Sequence, residues 1–205
     1  MALLSKDSGG SGGFEPVPAG SYVARCITVV DLGIQQSNYG PKEKVWIGFE
    51  IPSVRVEWEK DNVKHEGPAL IGSSYTNSIH KKSILGQHLV SWRGKEFTQE
   101  ERDGFDLFTI LNAPCMISVT HNTKSDKTYA NITAIMRLPK GTSASPAETE
   151  VLGYSPGDNE KIGNFDKLPE WLQTRCKEGH GKAADFPVSD LPPTTLDDFD
   201  DDIPF

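Results

Sequence analysis

Between Val45 and Ile51 apolar and polar positions alternate. Val45, Ile47, Phe49 and Ile51 fall on one face, and Trp46, Gly48 and Glu50 on the other. A period of two predicts a strand that turns a tryptophan away from its apolar side. A β-rich run from Tyr22 to Leu32 predicts a long strand before it, and Gly33 to Pro41 reads as a polar, turn-forming loop. Pro52 cannot donate to a ladder, so it predicts a bulge or an edge. The strand resumes from Val54 to Trp58, turns over Lys60-Asp61-Asn62 and returns from about Ala69 to Thr76. The period then changes. Ile84, Leu85, Leu89 and Trp92 lie at helical spacing, with Asn77 or Ser78 as candidate caps and Gly94 near the end. Thr98-Gln99-Glu100-Glu101 fits a capping box ahead of Phe105, Phe108 and Leu111, which predicts a second helix. Two further strands, about Cys115 to His121 and Tyr129 to Leu138, flank a polar loop over residues 122–128.

Three strands, a helix and two strands, in about 120 residues, is the order that a five-stranded OB-type barrel requires, the helix plugging one end. The fold class is therefore all-β with added helices, and a small α+β sandwich is the competing arrangement. An SH3-like barrel has no place for the helix between the third and fourth strands. The domain is expected to span residues 16–138. Residues 1–15 contain Ser8-Gly9-Gly10-Ser11-Gly12-Gly13 and read as a flexible lead. Residues 139–182 read as an arm lying on the barrel or loose beside it. The arm carries one short helix around Phe165 to Leu172, with Pro169 in its first turn and Leu168, Trp171 and Leu172 on its apolar side.

Charge changes the picture at one end only. From Ala183 onward there are seven Asp and no Lys, Arg or Glu; against a whole-chain charge of −8, that leaves about −1 for the first 182 residues. Leu196, Phe199, Ile203 and Phe205 are too few and too spread out to form a core, so residues 183–205 are expected to stay disordered and solvated. The segment ends Asp200-Asp201-Asp202-Ile203-Pro204-Phe205. An aromatic ring beside a carboxylate behind an acidic run is what a shallow apolar pocket rimmed with Lys and Arg can read. No run of about 18 apolar residues occurs, and Gly and Ser interrupt the N-terminus before a signal-peptide core forms, so a cytoplasmic protein away from membranes is expected. Cys26, Cys115 and Cys176 form no Cys-x-x-Cys pair, which argues against a disulfide framework and a zinc ribbon.

No catalytic constellation emerges. Cys176 and His180 are four apart, but Gly179 and Gly181 weaken a helix there and no second ligand pair is at hand, so no metal and no cofactor are expected. His65, His80, His88 and His121 fall in separate elements, without a nucleophile elbow or a phosphate-binding glycine loop. What recurs is aromatic rings near cations. Tyr39, Lys42, Lys44 and Trp46 cluster at the first hairpin, and Arg55 and Trp58 lie on the second strand. Tyr75 is on the third, with Lys81 and Lys82 beyond it, and Lys124, Lys127 and Tyr129 are at the last hairpin. Binding of single strands without sequence preference needs this mixture, because every base has a π-face to stack and every nucleotide a phosphate to neutralise. Residues 17–138 nevertheless carry 14 Lys plus Arg against 13 Asp plus Glu, so net charge alone would not suggest a nucleic acid.

Several segments add a family resemblance: Tyr75-Thr76-Asn77-Ser78-Ile79-His80-Lys81-Lys82-Ser83, Trp92-Arg93-Gly94-Lys95-Glu96-Phe97-Thr98, Gly104-Phe105-Asp106-Leu107 and Leu168-Pro169-Glu170-Trp171. Across about residues 16–175 the chain resembles single-stranded DNA-binding proteins of tailed bacteriophages, and its acidic end resembles the tip of bacterial-type single-stranded DNA-binding proteins. The resemblance implies an OB fold and coating of single-stranded DNA during phage replication or recombination in the bacterial cytoplasm. It also implies recruitment of host or phage replication and repair proteins through Asp200 to Phe205, with self-association on DNA as a further possibility. The added helices and arm depart from cellular members, which puts their tetrameric assembly in doubt. A recruitment adaptor that barely touches DNA and a nucleic-acid-processing enzyme are the competing readings.

Overall fold

The computed structural model describes residues 15–37, 40–60, 63–124, 127–156 and 165–181. Five antiparallel strands form a curled half-barrel: β1 (Gly20–Ser37), β2 (Gly40–Lys60), β3 (Val63–Thr76), β4 (Pro114–Lys124) and β5 (Lys127–Met136), in the spatial order β3-β2-β1-β4-β5. The helices are α1 (Ile84–Arg93) and α2 (Gln99–Asp103), between β3 and β4, and α3 (Glu170–Gly181); single 3-10 turns span Leu107–Ile110 and Phe165–Lys167. A short strand, β6 (Leu152–Tyr154), pairs in parallel with Thr28–Val30 of β1.

β1 organises the sheet because it serves two partners. Its first residues pair with β4 as far as Arg25, and the remainder pairs with β2. Register shifts between Cys26 and Thr28 and between Asp31 and Gly33 bend it, as bulges do. β6 then takes the edge that β4 leaves. Core residues cover one face of β1 and α3 covers the other, so Cys26, Ile27, Val29, Val30, Leu32 and Ile34 are all buried, which explains why this strand shows no clean alternation. Cys26, Val29, Phe49, Ile51, Trp92 and Ile117 belong to the core inside the half-barrel. Val30 and Leu32 join Leu168, Leu172 and Cys176 in a second core beneath α3.

Several boundaries differ from the sequence expectation. Gly33 continues β1 instead of opening a loop: it takes φ 64°, its N–H donates to Asp31 Oδ1 at 2.9 Å, and pairing runs on to Ser37 opposite Gly40. Pro52 does sit in a bulge, since the β2–β3 register jumps between Ile51 and Arg55. β3 begins at Val63, so beyond the bulge the two strands form a ribbon of their own. Ser83, not Asn77 or Ser78, caps α1, accepting from Gly86 N–H, while Gly94 ends the helix in the left-handed region. Thr98 and Glu101 form the expected capping box, but the helix stops at Asp103 and Leu107–Ile110 is a 3-10 turn, so the second predicted helix is divided.

Residues 144–149 of the arm lie on the half-barrel. Arg25 donates to the carbonyls of Ala144 (3.2 Å) and Ser145 (2.8 Å), and the fully buried Glu50 carboxylate accepts from the N–H groups of Glu148 (3.0 Å) and Thr149 (2.7 Å). Two amides on a buried carboxylate replace the water it loses, which is the condition for keeping such a group inside.

β3 and β5 end the strand order and, because each neighbouring pair is antiparallel, they run in the same direction on either side of a seam. At one end α1 bridges the seam: Tyr75 Oη of β3 lies 3.3 Å from His88 Nδ1, and the same imidazole hydrogen-bonds the backbone of Thr133 in β5. Burial pushes the His88 pKa below its ordinary value, with the Thr133 bond opposing it, and burial pushes the Tyr75 hydroxyl up. Below pH about 6.5 the unfolded chain therefore takes up a proton that the folded imidazole resists, and stability falls as pH drops from there through the folded value. Melting temperatures at pH 7.5 and 5.0 are expected to differ less in His88→Gln than in the wild type; an unchanged difference assigns the acid sensitivity to other groups.

Candidate functional site

At its other end the seam opens. A groove of about 680 Å³ passes along β3 from Pro68 to Gly72, faces Thr128 to Ala130 of β5, and is closed at its sides by Glu15 to Val17 and Thr149. Trp46, Val56, Trp58, Leu70 and Tyr129 line it. Trp58 is 37% exposed, Tyr129 50% and Leu70 55%, so this is an apolar surface open to solvent. Contiguous exposed apolar surface of this kind marks interaction sites.

Glycines shape the tryptophan positions. A Cβ on Gly72 would stand 2.4 Å from Trp46 and one on Gly67 2.9 Å from Trp58, so each indole lies across a position without a side chain. Trp46 is half-buried and meets Trp171 of α3 edge-to-face, with centroids 4.8 Å apart at 82°. Trp58 stacks on the cross-strand His65, with centroids 5.7 Å apart at 18°. Pleat alternation puts Val56 and Trp58, paired with Gly67 and His65, on one side of the ribbon. Arg55, Glu57 and Glu59, paired with Pro68, Glu66 and Lys64, occupy the other.

Of the twelve residues expected to bind, the structure brings Trp46, Trp58 and Tyr129 together in the groove, with Lys124 and Lys127 exposed at the β4–β5 hairpin. It does not bring the other described ones there. Tyr75 is 4% exposed and packs in the main core against α1, where it offers no face to a base. Lys42 and Lys44 are 6% and 4% exposed, and Lys44 Nζ donates to Thr76 Oγ1 at 3.1 Å. Arg55 is committed to Glu66 (3.1 Å) and Glu148 (2.8 Å), and these bonds raise its pKa. Lys81 and Lys82 are exposed in the turn before α1 and do not line the groove. Tyr39, and Asp200 through Phe205, lie outside the described residues.

No protein-family model matches the chain, and no curated protein matches it.

Sequence reasoning misses His65, Leu70 and Trp171. His65 falls in a segment that reads as the approach to a strand, although its position opposite Trp58 follows once a two-residue turn at 61–62 is assumed. Leu70 reads as an ordinary strand residue. Trp171 reads as part of the apolar side of a short helix, yet it is 47% exposed while Leu172 and Cys176 supply the buried side.

Metal chemistry finds no footing among the described residues: no group of three His, Cys, Asp or Glu side chains is placed to hold an ion. Cys176 and His180 do share a face of α3, but both are directed at the backbone of β1, with Cys176 Sγ 3.5 Å and His180 Nε2 3.1 Å from the Asp31 carbonyl oxygen. Burial pushes the Cys26 thiol up to about 12 and the Cys176 thiol up to about 11, and it raises Cys115 as well. Thiols held protonated in this way are packing groups and poor nucleophiles. None of the helices among the described residues is long and apolar enough to cross a membrane.

Proposed function

We propose that the chain is a non-catalytic single-stranded DNA-binding protein whose groove takes the strand with little sequence preference. The observation that carries this reading is the convergence of Trp46, Trp58 and Tyr129 on one open apolar groove beside the exposed Lys124 and Lys127. Rings supply sequence-tolerant stacking and lysines supply phosphate neutralisation. The strand order β3-β2-β1-β4-β5, with a helix between the third and fourth strands, supports an OB-type barrel. OB folds use strands two and three and the first and last hairpin loops for such ligands, and the groove is lined from β2, β3 and the start of β5. The resemblance to bacteriophage proteins supports a role in phage replication or recombination in the host cytoplasm. On this reading the acidic segment from Ala183 onward recruits host or phage replication and repair enzymes.

The burial of Lys42 and Lys44 and the ion-pairing of Arg55 favour a second reading, a recruitment adaptor with little DNA affinity, because they withdraw three cations from phosphate. Titrating oligo-dT into the protein while following tryptophan fluorescence at two salt concentrations separates the two. Salt-sensitive quenching is expected of the DNA binder. Absence of quenching at low salt favours the adaptor.

A further inference from the structure

The two walls of the groove differ in chemistry. On the β2–β3 ribbon, the side that carries Val56 and Trp58 presents, among its described side chains, an indole stacked on an imidazole and the exposed Val63, with no carboxylate. Its three acids, Glu57, Glu59 and Glu66, are on the reverse side, where Arg55 pairs with Glu66 and with Glu148 of the arm. Among the described side chains a polyphosphate has no lysine or arginine to seek on the groove side, and on the back it meets three carboxylates beside Arg55 and Lys64.

The opposing wall is built the other way. Lys127 and Tyr129 are two apart on β5 and therefore share a face, and the cross-strand partner of Lys127 is Lys124. Two exposed lysines thus stand side by side at the hairpin, two positions from the groove tyrosine.

We infer that the groove holds its strand in one orientation across its width, with bases turned to the ribbon onto Trp58 and its His65 backing, and phosphates turned to the β4–β5 hairpin at Lys124 and Lys127. The inference rests on the proposed reading of the groove as a single-strand site. It assigns His65 a positioning role: the imidazole stacks on Trp58 and holds the indole that lines the groove. Trp46 is a poorer probe of stacking than Trp58, because truncating it also removes the ring on which Trp171 packs.

The test compares an oligo-dT with a base-free deoxyribose-phosphate strand of equal length, on the full-length chain, across a salt series. Trp58→Ala is expected to weaken dT binding about 5- to 150-fold, the range that removal of one stacking ring produces. Its salt slope and its affinity for the base-free strand are expected to stay the same. Trp58→Phe keeps a ring and is expected to recover most of the affinity. The double variant Lys124→Gln/Lys127→Gln is expected to lower the salt slope by about 0.7 for each phosphate left without its lysine, equally on both strands. Equal weakening of both strands by Trp58→Ala, or an unchanged slope in the lysine variant, overturns the orientation. A wild-type protein that binds neither strand overturns instead the underlying reading of the groove.

Discussion

Gly179→Ala is expected to lower the melting temperature by several degrees, although glycine-to-alanine inside a helix ordinarily stabilises it. α3 crosses β1 at its bulge so closely that a Cβ on Gly179 would stand 1.8 Å from the Leu32 carbonyl oxygen and 2.4 Å from Gln35 Nε2. The other side of the crossing is also a glycine: a Cβ on Gly33 would lie 2.7 Å from the Gly179 carbonyl carbon. The nearest obstacles are backbone atoms, so moving the Gln35 side chain aside does not relieve the clash. The added methyl must lift the last turn of α3. That breaks the Gln35 Nε2 bonds to the carbonyls of Leu32 (2.7 Å) and Arg175 (2.9 Å), and it moves Cys176 and His180 off Asp31. Overpacking of this sort costs about 1–3 kcal/mol, and each kcal/mol shifts the midpoint of a chain of this size by about 2–4 °C. Gly181→Ala is the control. Its Cβ would meet nothing within 4 Å among the described residues, so its melting temperature should match or exceed that of the wild type. Equal effects of the two substitutions would show that the close crossing does not limit stability.

Deleting Phe205 is expected to abolish capture of replication or repair enzymes from bacterial lysate while oligo-dT affinity stays unchanged. The deletion removes the aromatic ring behind the acidic run, the group that a basic-rimmed apolar pocket would hold together with the Asp carboxylates. All seven Asp of the segment from Ala183 onward remain, as does the groove. If the acidic run were the whole signal, the deletion would capture the same proteins as the wild type, and salt would release them in both cases. A variant with Asp200, Asp201 and Asp202 changed to Asn separates charge from shape. Capture retained by the Phe205 deletion and abolished in the Asn variant would leave the segment a simple polyanion.

The elements legible in the sequence are those set by local chemistry. Alternation from Val45 to Ile51, the Thr98 capping box, Gly94 as a helix end and the Pro52 bulge each depend on a few neighbouring residues, and all four are present. The burial of Tyr75 is legible too once its parity is followed: it falls on the same face of β3 as Ala69 and Ile71, the face turned to the core. The longer contacts are not legible. β6 is three residues in a stretch rich in Pro, Ser and Gly, and its pairing with Thr28–Val30 is settled by a register more than a hundred residues away in sequence. α3 passes through Gly179 because the crossing needs a residue without a side chain, whereas helix propensity taken alone reads that glycine as a breaker. α3 and β6 pack on β1, and Trp171 of α3 packs on Trp46, so these additions to the barrel decide which outward-facing groups stay free. A strand pattern can say that Trp46 and Lys44 point away from the inner core, but not what lies over them.

Whether single-stranded DNA occupies the groove between β3 and β5 is tested most directly by photocrosslinking. An oligo-dT carrying 5-iododeoxyuridine is irradiated on the protein, and the crosslinked peptides are read by mass spectrometry. The expected crosslinks fall on Trp58 and Tyr129, which are the exposed rings of the groove. Crosslinks confined to residues away from it, such as the turn at Lys81 and Lys82 or the α2 surface, would contradict occupation of the groove.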